Sequence, residues 1–147
     1  MKFWQSFSKK AVLRQLFFVL ALFAVLIPMA FWDSDTQVKV SFESSSVYIR
    51  SDKYSMTIPY NIIDSAELAD LEEPGEKVED GFDNDIIRTG VWKNDTWGEY
   101  RIVADLDADN CIVIHLNDGR VFVFSCKNNS KTAEIYEDLQ TYLTRAA

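Results

Sequence analysis

Cys111-Ile112-Val113-Ile114-His115-Leu116-Asn117-Asp118-Gly119-Arg120-Val121-Phe122-Val123-Phe124-Ser125-Cys126 is two apolar runs hinged on one Asp-Gly pair. Runs rich in β-branched and aromatic residues favour strands, and Asp-Gly between them is a strong two-residue hairpin turn. With a two-residue loop, Asn117 faces Arg120, Leu116 faces Val121 and Cys111 faces Cys126. Side chains alternate along a strand, so Ile112, Ile114, Leu116, Val121 and Val123 fall on one side and Val113, Phe122 and Phe124 on the other. Both sides are apolar, which places this hairpin inside a sheet covered on both faces.

Opposed cysteines allow a cross-strand disulfide, Cys111 to Cys126, in an oxidising compartment. A two-residue loop makes them a hydrogen-bonded pair with Cα atoms about 5.5 Å apart, a spacing that permits the bond without being the easiest for it. Two free thiols in a sheet are the alternative.

Downstream, Ile135, Tyr136, Leu139, Tyr142 and Leu143 form one apolar face at helical spacing, which predicts a helix over residues 131–144. Ser130 or Thr132 is suited to cap its start, and Glu134 suits the first turn. A helix this short is not stable alone, so its face must cover the sheet.

Upstream, Val38, Val40 and Phe42 alternate with Lys39, Ser41 and Glu43, the pattern of a half-buried strand. Short turns lead to residues 47–50 and 54–58, giving a three-stranded meander. Pro59 ends that ladder for want of an N–H. One helical turn over residues 60–63 and an extended stretch over 64–71 follow, and Pro74-Gly75 breaks the chain. Residues 72–84, rich in acid and glycine, read as a long solvated connection. Two more strands, 88–92 and 98–104, precede the hairpin. The expected fold is mainly β (α+β): about seven antiparallel strands in a strongly bent sheet or open barrel, capped by the C-terminal helix.

The N-terminal end is of another kind. From Leu16 to Trp32 there is no charged residue, a length of about 25 Å in an α-helix, and adding residues 11–15 with a snorkelling Arg14 makes a full membrane span. Trp32 stands where an interfacial anchor belongs. Lys2, Lys9, Lys10 and Arg14 precede the run and Asp33 and Asp35 follow it, so the positive-inside bias predicts a cytoplasmic N-terminus and an extracytoplasmic remainder. A cleaved signal peptide is the competing reading. Cleavage after Ala30 would need a small residue where Pro28 stands, and no cysteine is placed for lipoprotein processing. Residues 1–10 are thus expected to be a basic cytoplasmic tail, 11–32 a single-pass anchor in the cell membrane and 33–147 one domain.

All 23 acidic residues lie beyond Trp32 with 11 of the 15 basic ones, so that domain carries about −12. Such a field repels nucleic acid and anionic head groups. His115 is the only histidine and has no nucleophile or orienting carboxylate in its local pattern. No phosphate loop, zinc-ligand spacing or nucleophile elbow occurs, so neither enzymatic activity nor a cofactor is expected.

Ile58-Pro59-Tyr60-Asn61-Ile62-Ile63, then Ser65-Ala66-Glu67-Leu68, Arg88-Thr89-Gly90, Gly98-Glu99-Tyr100, residues 111–124, Lys131-Thr132 and Tyr136-Glu137-Asp138-Leu139 follow one another in a familiar order. Over residues 38–143 the chain resembles small bacterial pleckstrin-homology-like domains. The resemblance implies a strongly bent seven-stranded sheet with a C-terminal helix, often attached to membrane segments. Eukaryotic relatives that bind inositol phospholipids carry cations in the first hairpin, whereas here that turn is Glu43-Ser44-Ser45-Ser46, so no phosphoinositide is expected.

Two groups of side chains stand out as candidate sites. Trp92, Trp97 and Tyr100 cluster with Arg88 and Lys93 in an otherwise acidic region, and rigid aromatics beside cations are common at protein interfaces. Filling the mouth of the barrel is their structural alternative. Asp105, Asp107 and Asp109 have the alternating spacing of the first calcium ligands of an EF-hand, but Asn110 replaces the turn glycine and Leu116 stands at the bidentate position. The expected function is that of a membrane-anchored interaction or scaffold module at the cell envelope, its partner another membrane or envelope protein or a second copy of itself. A small-ligand or calcium receptor is the alternative.

Overall fold

The computed structural model describes residues 15, 17–21 and 38–147, and the chain divides into two compact units, Met1–Ser34 and Asp35–Ala147. In the first unit the described residues are helical and Phe17, Phe18, Val19 and Leu20 are all exposed. Among the described residues no helix is long and apolar enough to cross a membrane, and most of the span expected over residues 11–32 lies outside them.

The second unit is mainly β. Strands β1 (Lys39–Phe42), β2 (Ser46–Arg50) and β3 (Ser55–Pro59) form the expected meander. A 3-10 turn at Tyr60–Ile62 leads into β4 (Ile63–Asp70), β5 (Glu76–Asp83), β6 (Ile87–Asn94), β7 (Gly98–Asp105), β8 (Asn110–Leu116) and β9 (Val121–Ser125). These six make a second sheet in the order β4-β8-β9-β7-β6-β5. The helix α1 (Asn129–Ala146) closes the chain.

The expectation of about seven antiparallel strands in one sheet is corrected in three ways. Among the described residues there are nine strands in two sheets, and β7 and β9 run parallel, Ile102 beside Val123. Residues 72–84 are not a loop, because Glu76–Asp83 forms β5. Its side chains are nearly all exposed, so it lacks the alternation that marks a half-buried strand, and pairing with β6 makes it one. That pairing is bulged twice, with Asp80 at φ 46°. Gly90, opposite at φ 103°, admits the bulge: a Cβ there would lie 2.6 Å from the Asp80 carbonyl oxygen.

The third correction concerns the hairpin, whose loop has three residues. Gly119 N–H donates to the Leu116 carbonyl (3.0 Å), Leu116 N–H donates to that of Arg120 (2.9 Å), and Gly119 takes φ 87°. This is a type I turn followed by a left-handed glycine, the other common hairpin solution. The Asp118 carboxylate accepts from Arg120 N–H (3.1 Å) and pairs with its Nε (2.7 Å), which holds the carboxyl below its ordinary range. One extra loop residue moves β9 by one place and turns every side chain over. Ile112 now faces Phe124 and His115 faces Val121, not Phe122. Ile112, Ile114, Leu116, Phe122, Phe124 and Cys126 therefore join one core, while Cys111, Val113, Val121 and Val123 join another.

The first core lies between the six-stranded sheet, the meander and α1. Val47, Ile49, Val103, Ile112, Ile114, Phe124 and Leu139 are its most deeply buried members. Ile135 and Leu139 of the helix are buried, with Tyr136, Tyr142 and Leu143 packed beside them, the face expected from the spacing. Tyr142 stacks on Phe42 at 4.8 Å and lies 5.9 Å from Tyr60. The helix cap is Asn128, which accepts from Lys131 N–H (2.9 Å), and not Ser130 or Thr132. Thr132 turns back to the sheet, its hydroxyl donating to the Cys126 carbonyl (3.1 Å) and accepting the Cys126 N–H (3.0 Å). The second core fills the opposite face of the sheet with Trp92, Tyr100, Ile102, Ala104, Cys111, Val113, Val121 and Val123, and Leu71 and Trp97 pack on to it.

Candidate functional site

Pairing of β5 with β6 sets Glu76 opposite Lys93 and brings the β4–β5 connection beside the β6–β7 turn. Between them lies an open groove of about 480 Å³ lined by Glu72, Glu73, Gly75, Glu76, Lys93, Asn94, Asp95 and Thr96. Its wall is held from behind. Tyr100 donates its hydroxyl to the Pro74 carbonyl (2.8 Å), and Asn94 Nδ2 donates to the Glu73 carbonyl (3.3 Å). Asn94 Oδ1 accepts Trp97 N–H (2.7 Å), which shapes the turn. Gly75 sits at φ 76°, and a Cβ there would lie 2.1 Å from the Lys93 carbonyl oxygen, so the wall tolerates no side chain at that position.

The binding candidates Arg88, Trp92, Trp97 and Tyr100 are brought together, but as packed groups behind the groove and not as its lining. Trp92 and Tyr100 are opposite each other across β6 and β7 and are 7% and 2% exposed. The Trp92 indole N–H is spent on the Thr89 carbonyl (2.9 Å), and Trp97 meets Tyr100 edge to face at 5.1 Å. Burial pushes the Tyr100 phenol up to about 12, although the Arg88 charge pulls it the other way. Arg88 is itself paired with Asp83 (Nε to Oδ1, 3.2 Å). Only Trp97, half-buried, stands near the rim.

What the groove offers is negative charge: Glu72, Glu73, Glu76 and Asp95, all exposed, against Lys93 alone. These carboxylates escaped the sequence reading because the groove exists only once β5 is a strand. The pieces were visible, Glu72-Glu73-Pro74-Gly75-Glu76 and Lys93-Asn94-Asp95-Thr96, but no local pattern says that they meet. With four exposed carboxylates against one lysine, the groove suits the docking of cationic groups.

The other candidates are placed elsewhere. Asp105 is buried and accepts Asp107 N–H on Oδ1 (3.2 Å), and burial raises its carboxyl above the ordinary value. Asp109 donates its N–H to Asn129 Oδ1 (2.7 Å), tying this turn to the start of α1. Asp105, Asp107 and Asp109 are thus engaged in local turn and helix contacts, and among the described residues no three His, Cys, Asp or Glu side chains are grouped to hold a metal ion. Cys111 and Cys126 are free and buried in different cores on opposite faces, so the shift of one place that reverses β9 also separates the proposed disulfide. Burial pushes both thiols up to about 12. His115 Nε2 lies 3.3 Å from Glu67 Oε1 across β8 and β4, both side chains open to solvent at the margin of the second core, an ion pair when protonated.

Compared with protein-family models, with curated proteins and with solved structures, the chain has no significant match in any of the three.

Proposed function

We propose that this chain is a membrane-anchored, non-catalytic interaction module of the cell envelope, whose Asp35–Ala147 unit docks a cationic surface of another envelope protein. The observation that carries this reading is the groove: four exposed carboxylates around about 480 Å³ on a scaffold held by Tyr100, Pro74 and Asn94. Opposite charge at such a rim speeds encounter and selects partners more than it adds affinity. The anchor over residues 11–32 keeps the domain at the membrane, and the flanking charges argue for an extracytoplasmic domain. The resemblance to pleckstrin-homology-like domains belongs to the same proposal and draws support from a mainly β unit closed by a terminal helix.

Site-directed photo-cross-linking in intact cells tests it. A cross-linker at Asp95 should yield a discrete adduct, and one at Thr141, exposed on the helix, should not. Reversing charge with Glu73→Lys and Glu76→Lys should abolish the adduct without changing the amount of folded protein. Adducts that survive charge reversal would refute the groove, and a domain untouched by protease added outside whole cells would refute the sidedness.

A further inference from the structure

The groove continues into an open sheet edge. In the six-stranded sheet the two outer strands are β4 and β5, and they are treated differently. Beside β4 stands the helix: Tyr136 Oη and Gln140 Nε2 both donate to the Ala66 carbonyl, at 3.4 and 3.1 Å. Strand β5 pairs with β6 on one side only and is exposed almost throughout; among the described residues no helix side chain bonds to it, and its own Lys77 Nζ reaches the Gly81 carbonyl (3.4 Å). Three of the four large apolar side chains left exposed in this unit lie there or in the turn after it: Val78 at 48%, Phe82 at 39% and Ile86 at 50%. Around them, between Glu72 and Asp85, are seven carboxylates and a single cation, Lys77. A cation is already drawn to this edge, since Lys53 Nζ lies 5.7 Å from the centre of the Phe82 ring.

We infer that β5 and the adjoining groove form the docking edge for an extended, lysine- or arginine-rich segment of a partner protein, which adds to the sheet as a strand. The inference rests on the interaction-module reading and gives it a mode and a partner chemistry. Open sheet edges recruit extended peptides through main-chain hydrogen bonds, with alternate side chains supplying selectivity. Here Val78, Phe82 and Ile86 supply apolar contacts, and the carboxylates supply charge complementarity. The same charge, with the two bulges, keeps copies of this chain from pairing through β5, because like charges would be opposed along the strand. An edge built this way rejects itself and admits a strand of opposite charge.

The test uses the full chain in neutral detergent and a synthetic peptide of about ten residues alternating lysine and valine. The peptide should bind saturably, weaken with salt and slow amide exchange within Val78–Asp83. N-methylation of alternate amides leaves its charge intact and removes the donors a ladder needs, so it should weaken binding about tenfold or more. Phe82→Ser, at an exposed position, should weaken it as well, and a glutamate-for-lysine peptide should not bind. Undiminished binding of the N-methylated peptide, protection confined to other strands, or no binding at all would each overturn the inference. The Asp95 cross-link separates the two claims: an adduct that is lost on groove charge reversal, with no peptide on β5, sinks the edge and leaves the module standing.

Discussion

Replacing Thr132 by valine isolates what fastens α1 to the sheet. The side chain is fully buried, and its one hydroxyl satisfies both backbone groups of Cys126, the residue just past β9. Valine keeps the volume and has a helix propensity similar to that of threonine, so the helix itself is hardly disturbed. It leaves the buried Cys126 N–H without a partner, at about 1–3 kcal/mol, and takes one of two donors from the Cys126 carbonyl, which keeps the Asn128 N–H, so the change should cost about 2–3 kcal/mol. Serine makes the opposite change. It keeps both hydrogen bonds and loses one buried methyl, a cost of about 1 kcal/mol. At roughly 4 °C per kcal/mol for a unit of this size, valine should lower Tm by about 8–12 °C and serine by about 4 °C. Thermal unfolding of the full chain followed by near-ultraviolet circular dichroism measures both. A serine variant as destabilised as the valine variant would refute the reasoning, because methyl packing and not the hydroxyl would then hold the helix.

The cysteines should remain unlinked: unreduced, denatured protein should titrate two thiols per chain, while the native chain at about pH 8 should react scarcely at all, since burial keeps the thiolates rare. A disulfide in that sample would mean the two-residue loop is the true one. Gly90→Ala should destabilise far more than Gly119→Ala, as measured by urea unfolding. Both sit at positive φ and share a strain of about 1–2 kcal/mol, but a Cβ at 90 meets backbone at 2.6 Å while one at 119 meets nothing within 4 Å. Equal costs would mean that the β5 bulge yields freely. Asp105→Asn should raise Tm relative to the parent chain by more at about pH 7 than at about pH 3. Burial raises this carboxyl in the folded state, so between its ordinary and raised values the folded chain holds the extra proton, and stability falls as pH rises through that window. Asparagine does not titrate and escapes the loss, and a pH-independent difference would show that burial of Asp105 carries no linkage.

Where the chain carries periodic apolar residues, the fold was legible. The meander from Lys39 to Pro59, the turn at Tyr60–Ile62 and the buried face of α1 at Ile135 and Leu139 all follow from alternation, proline and helical spacing. Strand β5 was not legible, because Glu76–Asp83 carries no periodicity and owes its form to β6. Nor was the groove, which is a product of that pairing. The aromatic group at Trp92, Trp97 and Tyr100 was visible as a cluster, but composition could not say whether it faced a partner or its own core. Burial decided for the core.

Residue chemistry by itself determined that Cys111–Cys126 is a hairpin apolar on both sides, that the chain ends in an amphipathic helix, and that negative charge is concentrated beyond Trp32. These are properties of single residues and their near neighbours. Only tertiary structure decided which side of β9 faces which core, because a loop of two residues and one of three are both compatible with Asn117-Asp118-Gly119-Arg120 and differ by a reversal of every side chain. Burying Phe122 and Phe124 with Ile112 and Ile114 under the helix, and Val121 and Val123 with Cys111 on the far face, accompanies the three-residue loop. The packing of two cores is a long-range condition, and no window along the chain contains it.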